Sequence, residues 1–241
     1  PAALAFQAQP TDVAAGASIT PVVVVRVLDG AGNLVPTAVN PITLAIGANP
    51  GTSTLTGTLT VNAVAGVATF SNLSLNRTGS GYTLLGSTAG LTGATSAAFN
   101  VTPGAATAVE YVQQPSTVIA GQVITPSPTV RIRDAAGNTV TTATSPVTLA
   151  LLANPGGSTL GGTVTVNAIA GVATFSTLTL NRSAAGYTLA ASSGALTGAT
   201  STAFTVNPGA ATALAITTAP TTGQSGVVLA PQPVVRLVDA N

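Results

Sequence analysis

Apolar and polar residues alternate with a period of two along most of this chain, in short runs cut by Gly, Pro and Asn. That period marks half-buried β-strands. LAFQAQ (4–9) alternates and stops at Pro10, and TDVAAGA (11–17) reads as a connection. ITPVVVVRVLD (19–29) is the strongest strand. It is dense in β-branched residues, and alternation puts Val23, Val25 and Val27 on one face and Val24, Arg26 and Leu28 on the other. NPITLAIGANPG (40–51) is a short strand entered and left through proline. STLTGTLTV (53–61) alternates small and polar residues and belongs near a sheet edge. VATFSNLSL (67–75) changes apolar phase near Ser71, as a bulge would produce. GYTLLGST (81–88) and ATSAAFNVT (94–102) supply the last two strands. No stretch reads as a helix, so no crossover helices exist to connect parallel strands, and the sheets are expected to be mainly antiparallel. Seven short strands in about 100 residues predict an all-β Greek-key sandwich.

The pattern then repeats at a spacing of 105 residues without insertion or deletion, and 63 of the first 105 positions match residues 106–210. VNAVAGVATF (61–70) returns as VNAIAGVATF (166–175), and LNRTGSGYTL (75–84) as LNRSAAGYTL (180–189). A third copy begins: VRVLD (25–29) and VRIRD (130–134) are followed by VRLVD (235–239). The expected organisation is one repeat over 1–103, a second over 104–208, and the first two strands of a third over 209–241. Two strands cannot close a sandwich. The last segment is therefore expected to be ordered by its neighbour or by another chain, within a piece of a longer polypeptide. TPGAATA (102–108) and NPGAATA (207–213) join the copies. Pro103 and Pro208 fix φ where one unit ends, and linkers this short predict consecutive units held at one repeated angle in a stiff rod.

Three side chains in each repeat stand out: a tyrosine, an aspartate and an asparagine. Tyr82 and Tyr187 follow LNR and a glycine at the start of the sixth strand. A tyrosine there can return its hydroxyl to backbone just upstream, the tyrosine-corner arrangement, or serve as a plain core aromatic. DGAGN (29–33) and DAAGN (134–138) are turn sequences in which the acid and the Asn can bond nearby backbone. Asp29 with Asn33, and Asp134 with Asn138, are also the candidates for a weak calcium site. One acid per loop is thin, since calcium wants six to eight oxygens, several of them anionic.

Composition removes most chemistry. Charged residues make up 5% of the chain, against about 25% in an ordinary domain. Histidine, lysine and cysteine are absent. A serine or cysteine nucleophile therefore has no base beside it, and soft-metal sites have no ligands. The five acids are Asp12, Asp29, Glu110, Asp134 and Asp239; Asp12 and Glu110 have no counterparts, so no acid pair recurs. No catalytic residue and no cofactor is expected. Net charge is +1, and Arg26, Arg131 and Arg236 fall one per repeat, which gives no footprint for nucleic acid. No apolar run approaches the roughly 20 residues of a membrane span. Low charge leaves little repulsion between copies, so self-association into a fibre or surface layer is expected alongside contacts between neighbouring repeats.

The VRVLDGAGN, VNAVAGVATF and LNRTGSGYTL stretches resemble tandem bacterial immunoglobulin-like domains of the kind found in invasin- and intimin-type surface proteins and large adhesins. The resemblance spans each complete repeat. It implies an extracellular or cell-surface location in a bacterium, with the repeats acting as spacers, stalks or fibre units. The alternative is an adhesin module that holds a glycan or receptor through the sandwich loops. Of the eight aromatics, only Phe6 and Tyr111 are not expected in the core.

Overall fold

A computed structural model of the chain describes residues 1–221 and 223–240. The expected two-strand segment at 209–241 includes Thr222 and Asn241, which lie outside the described residues. The fold is all-β: immunoglobulin-like sandwiches in tandem. Contacts group the chain into one compact unit of Pro1–Thr107 with Arg133–Thr141, and another of Ala108–Ile132 with Thr142–Asn241.

In the first unit, Val23–Leu28 lies between Ala3–Ala8 and Val67–Phe70, antiparallel to both. Across the core, the order is Ala94–Thr95, Leu84–Ser87, Pro41–Ile46, Thr60–Asn62. Val23, Val25 and Val27 are fully buried, as the alternation predicts, and pack with Ile42, Leu44, Phe70, Tyr82 and Leu84. Thr60–Asn62 is an edge strand, where STLTGTLTV was placed.

Two local features differ from the sequence reading. The connection at 11–17 contains Val13–Ala14, which pairs in parallel with Phe99–Thr102. Asp12 secures it by accepting the Asn100 N–H at 2.7 Å. A two-residue strand is too short to show a period. At Ser71 there is a strand switch, not a bulge. Val67–Phe70 ends, and Ser74–Leu75 pairs with Leu55–Thr56 in a separate ribbon. The Asn72 side chain holds the crossing by accepting the Thr58 N–H at 2.9 Å and donating to Thr58 Oγ1 at 3.1 Å.

The second copy of the sequence pattern repeats this plan. Thr129–Asp134 lies between Ala106–Gln113 and Val172–Thr174, and the facing sheet runs Val118–Ile119, Phe204–Asn207, Ala184–Ser192, Pro146–Ala153, Thr165–Asn167. Val130, Ile132, Val147, Leu149, Phe175, Tyr187 and Leu189 fill its interior. Ala213–Thr218 and Val234–Val238 form an antiparallel hairpin whose Leu214, Ile216 and Leu237 are exposed.

One tight turn is strained in the same way in both copies. Val64 and Val67 exchange both backbone hydrogen bonds around Ala65 and Gly66, with φ of 52° and 78°. Ala170 and Gly171 repeat it at 48° and 78°. A two-residue turn with both φ positive favours Asn-Gly, because an alanine Cβ crowds the neighbouring carbonyl there. Gly66 is obligatory on a second count, since a Cβ would stand 2.3 Å from Val35 O. Replacing Ala65 and Ala170 by Asn is expected to stabilise each turn by about 0.5–1 kcal/mol, read from urea midpoints.

Candidate functional site

The tyrosines singled out by sequence stand in the same setting in both copies. Tyr82 is fully buried and donates its hydroxyl to Arg77 O at 2.9 Å; Tyr187 donates to Arg182 O at 2.7 Å. Each ring lies about 6 Å from a phenylalanine, Phe99 or Phe204. Each hydroxyl also explains a glycine. A Cβ on Gly51 would stand 2.2 Å from the Tyr82 hydroxyl oxygen and 2.2 Å from Thr78 O. On Gly156 it would stand 2.2 Å from that of Tyr187.

A serine beside each corner braces the same loop. Buried Ser53 Oγ accepts the N–H groups of Asn76 (2.9 Å) and Arg77 (3.1 Å) and donates to Asn76 Oδ1 (3.0 Å). Asn76 Oδ1 also accepts the Thr54 N–H at 3.0 Å. Ser158 and Asn181 reproduce the set, at 2.9 Å from the Asn181 N–H and 2.9 Å to Asn181 Oδ1. Asn72, Asn76, Asn100 and Asn181 stand in N-x-S/T triplets, and all four side chains serve as cross-strand braces. The spacing of Ser53 and Asn76 is non-local, and sequence gave no signal for it.

The aspartate turns are the most informative feature. Asp29 Oδ1 accepts the N–H groups of Ala31 (2.9 Å) and Asn33 (2.8 Å), and Oδ2 accepts Asn33 Nδ2 (3.2 Å). Asp134 makes the same turn: Oδ1 accepts the Asn138 N–H at 2.8 Å, and Oδ2 accepts Asn138 Nδ2 at 2.9 Å. Here the turn does more. Asp134 Oδ2 also accepts the Gly104 N–H at 2.9 Å, directly after Pro103. Asn138 Nδ2 donates to Asn76 O at 2.9 Å, and its Oδ1 accepts the Thr78 N–H at 3.2 Å. All of these residues belong to the first compact unit. Asp134 and Asn138 are accordingly buried, whereas Asn33 is exposed. In the second unit, Asp239 Oδ2 accepts the Gly209 N–H at 2.6 Å, directly after Pro208. An acid at one repeat position thus holds the glycine of the Pro-Gly linker at two places 105 residues apart.

This geometry bears on the calcium candidates. The carboxylates of Asp29 and Asp134 are ringed by N–H donors, which a cation repels, and the Asn33 and Asn138 amides turn their NH2 groups toward them. No cluster of three His, Cys, Asp or Glu side chains occurs among the described residues.

Electrostatics follow the same contacts. Burial raises the Asp134 carboxyl, but the bonds from Asn138, Gly104 and Ala136 outweigh it and hold the group below its ordinary range. A carboxyl lowered in the folded state adds stability that is fully present above its unfolded value and lost as pH falls through its folded one. Melting curves below about pH 4 are expected to show that loss in the natural chain, and less of it in Asp134→Asn.

The repeated arginines do not cluster. Arg26 Nε donates to Gln7 at 2.7 Å, and Arg131 pairs with Glu110 at 2.8 Å. Tyr111 is buried, with its hydroxyl on Leu189 O at 3.3 Å, and Phe6 is half-buried. No helix among the described residues is long and apolar enough to cross a membrane.

No family model matches the sequence, and no curated protein does. Among solved structures, the chain is similar to the Escherichia coli adhesin FdeC (20% identity, 86% of this chain, 63% of that one, TM-score 0.38). It is also similar to the Yersinia pseudotuberculosis adhesin InvE (18% identity, 85% and 58%, TM-score 0.31). A β-glycosidase from Bacteroides vulgatus matches at 15% identity over 84% of this chain and 24% of its own, TM-score 0.37. The chain thus spans less than two thirds of each of these structures, and bacterial adhesins stand among its neighbours in fold.

Proposed function

We propose that this chain is a non-enzymatic repeat region of a long bacterial cell-surface or secreted protein, serving as a rigid spacer or as the unit of an extracellular filament. The observation that carries the reading is the Asp134 turn, which holds Gly104 through its carboxylate and loop 76–78, one repeat back, through Asn138. A flexible tether needs no side chain to hold its glycine, whereas a spacer that transmits length or force does. The acid–base inventory supports the non-enzymatic part: His, Lys and Cys are absent, and the five acids form no recurring pair.

Low charge extends the proposal to contacts between copies. The direct test is electron microscopy and sedimentation of the purified protein at rising concentration. Fibres or ordered lateral arrays support the filament; dispersed monomers throughout restrict the role to that of a spacer. A glycan- or receptor-binding module would ordinarily offer aromatic faces at its loop tips. Here seven of the eight aromatics are buried and Phe6 is half-buried, which favours architecture over recognition. Saturable binding of this chain on a glycan array would reverse that order.

A further inference from the structure

Each sandwich leaves one sheet edge bare. In the first repeat, Thr60–Asn62 ends its sheet and pairs with Pro41–Ile46 on one side only. The bonds from Ala63 N to Asn40 O (2.9 Å) and from Leu44 N to Leu59 O (2.8 Å) fix which residues bond inward. Hydrogen-bonded pairs alternate along an antiparallel ladder, so the N–H and C=O of Thr60 and Asn62 point away from the sheet. Thr165–Asn167 does the same against Pro146–Ala153, with Ala168 N on Ser145 O at 3.1 Å and Leu149 N on Val164 O at 2.8 Å. In both copies the Thr and Asn side chains are exposed and the Val between them is half-buried. One copy has a full repeat after it and the other a full repeat before it, so the bare edge belongs to the repeat itself.

The composition of this edge sets it apart. Edge strands are ordinarily guarded by charge, proline or a bulge. Residues 57–65 and 162–170 contain neither a charge nor a proline, and their pairing registers are unbroken. The exposed positions of 60–69 are Thr60, Asn62, Val64, Ala65 and Thr69, and they return as Thr165, Asn167, Ile169, Ala170 and Thr174. An edge of the other sheet shows how far such a strand can diverge. Ala3–Ala8 differs from residues 108–113 at five of six positions, and the second copy adds Glu110, paired with Arg131. At the end of the preserved strip, Val64 and Ile169 are 76% and 80% exposed, so the interior of the fold does not account for them.

We propose that the Thr60–Asn62 edge, and Thr165–Asn167 with it, is the surface at which a second copy of this chain attaches, by antiparallel strand pairing. The register is self-complementary. A two-fold axis at Val61 sets Thr60 opposite Asn62 of the second copy, and these two residues exchange their outward N–H and C=O groups. The Thr60 hydroxyl already meets Thr43 Oγ1 at 2.8 Å, and the Asn62 amide of the second copy joins it on the same solvent-facing side. The two Val61 side chains meet on the inner side. Thr165 and Thr148, at 2.9 Å, prepare the same arrangement in the second repeat. Identical edges come together without like charges to repel them. The contact is short and weak in one repeat, and an array that offers it every 105 residues gains by number. This site deepens the filament reading by naming its contact, and the test separates the two.

In this pairing the Val61 residues of two chains stand at a position without mutual hydrogen bonds, where Cα atoms are about 4.5 Å apart, within reach of a disulfide. The chain has no cysteine of its own. In a glutathione redox buffer, Val61→Cys with Val166→Cys is expected to form intermolecular disulfides about tenfold faster, or more, than Thr69→Cys with Thr174→Cys. The control thiols are the more exposed, on edge strands of the other sheet. Equal rates overturn the pairing. Asn62→Pro with Asn167→Pro is the second arm. It removes outward N–H groups that the fold does not use, so an unchanged urea midpoint is expected, with the concentration-dependent sedimentation of the natural chain lost. If the proline variant does not fold, the disulfide rates decide alone. A folded proline variant that associates as the natural chain does overturns this edge and leaves the filament standing. A natural chain that stays monomeric, with equal disulfide rates, overturns both.

Discussion

Gly51→Ala is expected to be the most damaging single methyl group that can be added to the first repeat. The new Cβ would stand 2.2 Å from the Tyr82 hydroxyl and 2.2 Å from a main-chain oxygen, Thr78 O. A flexible side chain could step aside, but neither neighbour can. Tyr82 is fully buried against Phe99, and Thr78 lies in the loop that Asn138 holds. Loss of about 3 kcal/mol is expected, at the upper end of what overpacking usually costs. Tyr82→Phe removes only the hydroxyl and its bond to Arg77 O, and should cost about 1–2 kcal/mol. The order of the two variants in urea midpoints is the useful result. If Gly51→Ala were the milder change, the close seating of the tyrosine on the glycine would be wrong. Gly156→Ala should behave alike against Tyr187, because the same 2.2 Å approach recurs there.

The second large effect falls on Asp134. Its carboxylate accepts from Gly104, from the Asn138 backbone and from the Asn138 side chain, and it is buried. Asp134→Ala strands these donors in a closed space and should cost about 2–3 kcal/mol, the range for a hydrogen-bonded charge removed from a buried site. Asp29→Ala removes the same atoms from an exposed turn, where water replaces them, and should cost clearly less. Equal losses for the two variants in parallel denaturation curves would mean that the carboxylate serves its own turn and nothing else. The Gly104 amide gives a second reading of the same event: it should exchange much faster in Asp134→Ala.

Much of this was legible in the chain, and the limits have physical causes. The period of two over 23–28 places Val23, Val25 and Val27 inward because a pleated strand allows little else. The tyrosine could be placed because its partner, Arg77 O, lies five residues away. Asp29 and Asp134 are just as local, with partners two to four residues on. What stayed hidden was non-local. Asn138 meets Asn76 across 62 residues, and Ser53 meets Asn76 across 23. Nothing in the residue types marks one polar side chain as reaching outward and its twin, Asn33, as facing water. The strand switch after Phe70 showed only as a change of apolar phase from 68 and 70 to 73 and 75, which a bulge would produce equally well. Nothing in the sequence marks Gly51, because the hydroxyl that closes on it comes from residue 82.

If the proposed rigid spacer is right, the Asp134 turn, which holds Gly104 and through Asn138 loop 76–78, should keep successive repeats moving as one piece. The chain has no cysteine, so Ser71→Cys with Ser176→Cys gives two unique, exposed attachment points for spin labels. Electron–electron distance measurement between them should give a single narrow distribution in the natural background. Adding Asp134→Ala should broaden it. A distribution already broad with Asp134 in place would show freely jointed repeats and contradict the account.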